Sequence, residues 1–447
     1  MITCTFVNAC EAARARLAAI APATAEGEIA ALSGLAVEVR GLGPLLSVGE
    51  RIALAPRAGE PIAAEVVGFR NGLAQALAFG PLDGLGPGRK VVARVPPRPA
   101  DLLVSDGWLG RVIDPLGRPL DGRGPLPPGR PRPVRTTPPP ATERGRLGPR
   151  FGFGVRALDL FAPAREGQRL GLFAGAGVGK STLLAMLAAG AACDVTVLAL
   201  VGERGREVRE FLEDDLGEAG LARAVVVIAT SDAPPLLRRE AAIAAVTVAE
   251  HFRDQGQRVL LLMDSLTRYC HALREIALAA GEAPGARFYP PSVFADLPRL
   301  LERAGPGRKE TGGQITGLFT VLVDGDDMTD PVADAVRSIL DGHVVLDRRI
   351  AEAGRYPAVD VLRSLSRTAP GCTGAEEAAL AARARAVLSL QAELADLVRL
   401  GAYRAGADAA ADEALALAPR IEALLRQGRN EASDPAAALA ALCAALA

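Results

Sequence analysis

The chain has 447 residues, long enough for two or three domains, and 49% of them are hydrophobic, enough for a sizeable core. Its 51 basic and 52 acidic residues nearly cancel, which argues against bulk nucleic acid as the main partner. Aromatics at 4% leave few platforms for stacking single strands. The six cysteines (Cys4, Cys10, Cys193, Cys270, Cys372 and Cys443) are scattered without a C-x-x-C pair, which fits a reduced, cytosolic compartment. His251, His271 and His343 do not pair with them at zinc spacing.

No signal peptide is expected, because Glu11, Arg14 and Arg16 interrupt the N-terminus. No apolar stretch approaches the ~20 residues that span a bilayer. Residues 1–20 read as a short helix, with Val7, Cys10, Leu17 and Ile20 apolar, that either frays or docks on a partner. Residues 25–96 hold short apolar or alternating runs (35–39, 51–54, 62–69, 73–79 and 90–95) punctuated by Gly, Pro and Asn71-Gly72, the signature of a small β-barrel. The Gly- and Pro-rich tract from Gly110 to Pro140 reads as an irregular connection.

From about 150 to 370, strands at 169–173, 195–201, 224–229, 259–263 and 315–323 alternate with helices at 182–189, 207–219 and 234–255. That alternation predicts an α/β domain with a mostly parallel sheet, whose ligands sit at the C-terminal strand ends. Residues from about 375 to the end are rich in Ala, Leu, Glu and Arg and read as a helical domain, interrupted by Gly401 and Gly406 near Tyr403. The expected domains are 1–24, 25–97, 98–372 and 373–447.

Ala174-Gly175-Ala176-Gly177-Val178-Gly179-Lys180-Ser181 nearly matches the phosphate-binding loop G-x-x-x-x-G-K-[ST], lying between a strand and a helix as that loop requires. Glycines turn backbone N–H groups inward around phosphate oxygens, and the helix N-terminus adds partial positive charge. The expected cradle comprises Gly175, Ala176, Gly177, Val178, Gly179, Lys180, Ser181 and Thr182, with Lys180 on the outer phosphates and Ser181 on Mg²⁺. Asp264 ends the apolar run 259–263, which suits a second Mg²⁺ ligand; it also precedes a helix, so it suits an N-cap. Glu203, past the strand at 195–201, could polarise an attacking water or pair with Arg204 or Arg206. Arg367 could neutralise charge on a transferred phosphoryl group. Tyr356 and Tyr403 could stack on an adenine or pack in the core.

Taken with Gly171-Leu172-Phe173, Gly202-Glu203-Arg204-Gly205-Arg206-Glu207-Val208, Asp264-Ser265-Leu266-Thr267-Arg268-Tyr269, Tyr289-Pro290-Pro291-Ser292-Val293-Phe294 and Gly354-Arg355-Tyr356-Pro357, the chain resembles the flagellum-specific export ATPases. These are the secretion-system relatives of the F-type ATP synthase catalytic subunit, and the match runs from about residue 30 to 430. The resemblance implies a RecA-like P-loop ATPase core with an N-terminal β-barrel and a C-terminal helical domain. It implies a homo-hexamer using ATP and Mg²⁺. Glu203 matches the catalytic glutamate, and Arg204 in the same motif is taken with the catalytic residues. Arg268 matches an arginine beside the site, and Arg367 an arginine finger supplied across the subunit boundary. Tyr356 matches an aromatic residue of the nucleotide site, Tyr403 lies in the matching C-terminal adenine-pocket region, and Ala174 is usual in this branch.

The implied partners are a regulatory, stator-like subunit on the N-terminal segment, a coiled-coil stalk protein, chaperones, flagellar export substrates and an export gate at the inner membrane. No nucleic acid is expected. The rival readings are the homologous ATPase of a virulence injectisome and a non-catalytic nucleotide-binding ring subunit; Glu203 argues against the latter.

Overall fold

The computed structural model describes residues 23–95, 101–323, 330–431 and 433–447. The helix expected over residues 1–20 and the boundary expected at 97 lie outside the described residues. The chain divides into two compact units, Met1–Ala100 with Leu278–Glu282, and Asp101–Ala277 with Ala283–Ala447.

In the first unit, β1 (Ala23–Ser33), β2 (Ala36–Arg40), β3 (Arg51–Leu54), β4 (Ile62–Arg70), β5 (Leu73–Ala78) and β6 (Lys90–Val95) close into a barrel of order β1-β2-β5-β4-β3-β6. Period-2 alternation turns Val37, Val39, Leu54, Ala64, Val66, Ala74 and Ala76 inward, and these residues are fully buried. The many alanines suit a narrow interior. Asn71 and Gly72, with φ of 51° and 76°, make the tight turn between β4 and β5. Strand β1 is absent from the sequence reading because its Ala- and Glu-rich run carries a weak strand signal. Its Gly27 is needed: a Cβ there would lie 2.5 Å from the Arg40 carbonyl oxygen.

In the second unit, β7 (Asp101–Val104), β8 (Arg111–Ile113) and β9 (Arg130–Pro133) correct the reading of the Gly- and Pro-rich tract as wholly irregular. β7 pairs with β9, and β8 joins the edge of the main sheet. Proline is tolerated in β9 because that strand pairs on one side only. After the small pair β10 (Arg150–Phe151) and β11 (Ala164–Arg165) come β12 (Arg169–Ala174), β13 (Val195–Glu203), β14 (Ala224–Thr230), β15 (Arg258–Asp264), β16 (Gly305–Pro306), β17 (Gln314–Leu322), β18 (Gly342–Leu346) and β19 (Val359–Ser366).

The main sheet runs β19-β18-β12-β17-β15-β13-β14-β8, with β16 beside β17. Its pairings are parallel except for the short β16 and for β19, which runs antiparallel to β18. Helices Lys180–Gly190 and Pro235–Arg253 flank it, the latter starting on proline, where no N–H is needed. The helix expected over 207–219 is broken instead: Gly205–Glu210, a π turn Phe211–Leu216, then Gly217–Ala222, with Gly217 at φ 64°.

The C-terminal helices Ala375–Arg399, Ala409–Leu425 and Pro435–Leu446 bury Val387, Leu417, Ile421 and Leu442 in the same core as Phe161, Leu172 and Val359. Asp408 and Asp434 cap the last two. Among the described residues, no helix is long and apolar enough to cross a membrane.

Candidate active site

The loop after β12 leads directly into the helix Lys180–Gly190. Gly177 and Gly179 have φ of 75° and 87°, conformations that a side chain would strain. Val178 is buried in the main core and anchors the loop from below, while Ala176 and Gly177 are exposed. Arg348 Nη2 donates to the Ala176 carbonyl at 2.9 Å and holds the loop from the side. The Tyr356 ring lies over it, since a Cβ on Gly179 would come 3.2 Å from Tyr356 Cε1.

Three strand ends converge here. Lys180 Nζ donates to Asp264 Oδ1 at 2.6 Å, at the end of β15, and lies 3.4 Å from Glu203 Oε1, at the end of β13. The three side chains are 12%, 6% and 14% exposed, so the charges are largely out of water and depend on one another. Burial pulls the Lys180 ammonium down, but the Asp264 and Glu203 carboxylates outweigh it and the net shift is upward. Glu203 moves up as well, through burial first and the Asp264 charge second, with Lys180 opposing. A carboxylate raised in this way is a better proton acceptor than an exposed one.

Of the two roles open to Asp264, the cap belongs to its neighbour: Ser265 Oγ accepts from the Arg268 N–H at 3.3 Å. Of those open to Glu203, pairing with Arg204 or Arg206 does not occur; these are exposed and pair with Glu207 and Glu210. Arg204 is thus outside the cluster. Arg268 packs on Gly202, the residue before Glu203, where a Cβ would come 3.1 Å from Arg268 Cβ, and its Nε is buried without a hydrogen bond among the described residues. Tyr403 makes its hydrogen bonds within the C-terminal helices. Its hydroxyl donates to Asp412 Oδ1 at 2.8 Å and makes a longer bond to the Asp408 carbonyl, in the connection between two C-terminal helices.

Thr320 was not foreseen. From β17, fully buried, its hydroxyl donates to Asp264 Oδ1 at 2.7 Å. Oδ1 therefore carries both Lys180 and Thr320, and Oδ2 makes no hydrogen bond among the described residues. With the exposed Ser181 hydroxyl at the start of the helix, that leaves two hard oxygen donors beside a lysine. The set fits Mg²⁺ with a nucleoside phosphate, since Mg²⁺ takes few protein ligands and completes its shell with phosphate and water oxygens.

Arg367 stands at the other end of the sheet. Gly342 pairs with Ser366 at the start of β18, while Leu346 pairs with Ala174, at the P-loop end, on one side and with Val359 on the other. The length of β12, roughly 17 Å from Arg169 to Ala174 at the usual strand rise, separates Arg367 from its own P-loop. Arg367 is exposed, and its guanidinium makes no hydrogen bond among the described residues.

Two family models match the chain: the nucleotide-binding domain of the ATP synthase alpha/beta family over residues 154–366, and the type III secretion EscN ATPase C-terminal domain over 373–444. A flagellum-specific ATP synthase of Caulobacter vibrioides is 54% identical, covering 91% of this chain and 93% of its own. The SPI-2 type 3 secretion system ATPase of Salmonella typhimurium is 50% identical, covering 86% and 87%. The assembled ATPase EscN in complex with its central stalk EscO, from enteropathogenic E. coli, superposes with a TM-score of 0.85 at 38% identity, covering 94% of this chain and all of that one.

Proposed function

The chain belongs to the flagellum-specific and type III secretion ATPases, a branch of the ATP synthase alpha/beta family, and from that premise we propose that it hydrolyses ATP in a hexameric ring to energise flagellar protein export. The observation that carries the reading is the Lys180–Asp264–Glu203 cluster at the strand ends beside the P-loop. In this reading the loop amides and Lys180 hold the β- and γ-phosphates. Ser181 and Asp264 hold Mg²⁺, which when bound neutralises phosphate charge. Water adds to the γ-phosphorus as the bond to the β-phosphate oxygen breaks, and Glu203 takes the water's proton. Tyr356 packs on the base, and Arg268 backs the Glu203 loop.

Arg367 completes the site of the neighbouring subunit, because it lies a strand's length from its own P-loop. Its fork suits the charge spread over the γ-phosphoryl oxygens. A central stalk like EscO in the relative would enter the ring. The N-terminal segment takes a stator-like regulatory subunit, and chaperones, export substrates and the export gate complete the assembly at the cytoplasmic face of the inner membrane. The injectisome relative would share the chemistry and differ in cargo.

The test is ATP turnover per subunit against protein concentration. It is expected to rise steeply as subunits associate and to vanish in Lys180→Ala. A rate per subunit that stays flat on dilution would refute action across the boundary.

A further inference from the structure

Arg367 is exposed, yet the backbone around it is held from below by one buried side chain. Gln168, fully buried, sits immediately before β12, the strand that ends in the P-loop. Its Nε2 donates to Ser366 Oγ at 3.0 Å and to the Asp341 carbonyl at 3.2 Å. Its Oε1 accepts from the Thr368 hydroxyl and from the Arg165 N–H. The Arg367 N–H itself donates to the same Asp341 carbonyl, at 2.9 Å. Both neighbours of Arg367, and the acceptor of its own amide, are therefore tied to one carboxamide.

Asp341 is fixed in turn: its Oδ2 accepts from the Arg169 N–H at 3.1 Å, and its N–H donates to the Arg169 carbonyl. A buried amide with its donors and acceptor both used in this way has one orientation available, because turning it over would set donor against donor.

We infer that Gln168 is a positioning residue for the Arg367 finger: it joins the base of one subunit's P-loop strand to the guanidinium that completes the next subunit's site. The inference rests on the reading of Arg367 as acting in trans. Removing the amide leaves the guanidinium in place chemically but unregistered, and a misplacement of about 1 Å at a reacting centre can cost on the order of 10²-fold in rate.

The experiment is complementation between full-length subunits. Gln168→Leu is expected to turn over ATP about 10²-fold slower than the parent while binding a fluorescent ATP analogue with unchanged affinity, because its own P-loop is intact. Lys180→Ala is inactive but keeps its finger. In a random equimolar ring about a quarter of the interfaces join a Gln168→Leu P-loop to a Lys180→Ala subunit's Arg367, and turnover returns that neither protein has alone. Thr368→Val, which removes one contact to the amide from a half-buried position, repeats the test should Gln168→Leu fold poorly. Arg367→Ala mixed with Lys180→Ala is the control. Recovery in the control but not with Gln168→Leu or Thr368→Val, or loss of nucleotide affinity in those variants, overturns the role of Gln168 and leaves the trans reading standing. No recovery in the control overturns the trans reading, and the inference with it.

Discussion

The two ends of the main sheet handle charge in opposite ways. At the C-terminal ends of β12, β13 and β15, Lys180, Asp264 and Glu203 are largely buried, with one ammonium set between two carboxylates. At the opposite end, Arg367 projects into solvent while its backbone is locked by Gln168 and Asp341. Buried charges need partners, so the first end is organised inward, around a ligand that must exchange with those partners. An exposed guanidinium on a rigid base costs little to leave unpaired and is organised outward, for something the subunit itself does not contain. On the proposed reading, the contrast separates residues that serve their own site from the one that serves another.

The largest break in that contrast is Arg367→Ala. It is expected to lower kcat by about 10³-fold in associated protein while leaving nucleotide affinity of dilute subunits unchanged. Equal losses in both measurements would mean that Arg367 serves its own P-loop. Next is Glu203→Gln, expected to cost about 10²-fold in turnover while sparing nucleotide binding. Because burial and Asp264 raise Glu203, its ionised form is present above that raised value and lost as pH falls through it. The acid limb of the parent's pH–rate profile should thus lie above the usual glutamate range and disappear in Glu203→Gln. A limb that persists would assign it to another group.

Thr320→Val should cost about tenfold, the scale of a buried hydrogen bond to a charged group, and should raise the Mg²⁺ concentration needed for half-maximal rate. Thr320→Ser should restore both, and failure of that rescue would point to packing instead. The smallest effect is expected for Tyr356→Leu, a rise of about 3- to 10-fold in KM for ATP with kcat unchanged. A fall in kcat alone would contradict a ground-state contact to the base.

What was legible in the chain was local. Gly177 to Ser181 announced a loop between strand and helix, and Glu203 and Asp264 were readable because each terminates an apolar run long enough to be a buried strand. Thr320, Gln168 and Arg348 carried no such signal. Thr320 reaches Asp264 only because β17 lies beside β15, and Gln168 reaches Asp341 and Ser366 only through the order β19-β18-β12. Neighbour order in a parallel sheet is set by crossovers, which leave no mark in periodicity. Strand β8 was lost in the Gly- and Pro-rich tract because three residues are too few to show a period. Arg204 was grouped by its motif, yet in the folded chain it turns to Glu207.

Strand β19 leads away from Tyr356, which lies on its own P-loop, and ends beside Arg367 at the opposite end of the sheet. On the proposed reading, the surfaces that meet in assembly are therefore unlike, head against tail. A two-fold dimer, which joins identical faces, would complete neither site. An open pair would complete one site from two subunits, and only a closed ring would leave none idle. Stray subunits that have not yet been recruited would then consume almost no fuel, a safeguard that comes from topology and needs no separate inhibitor.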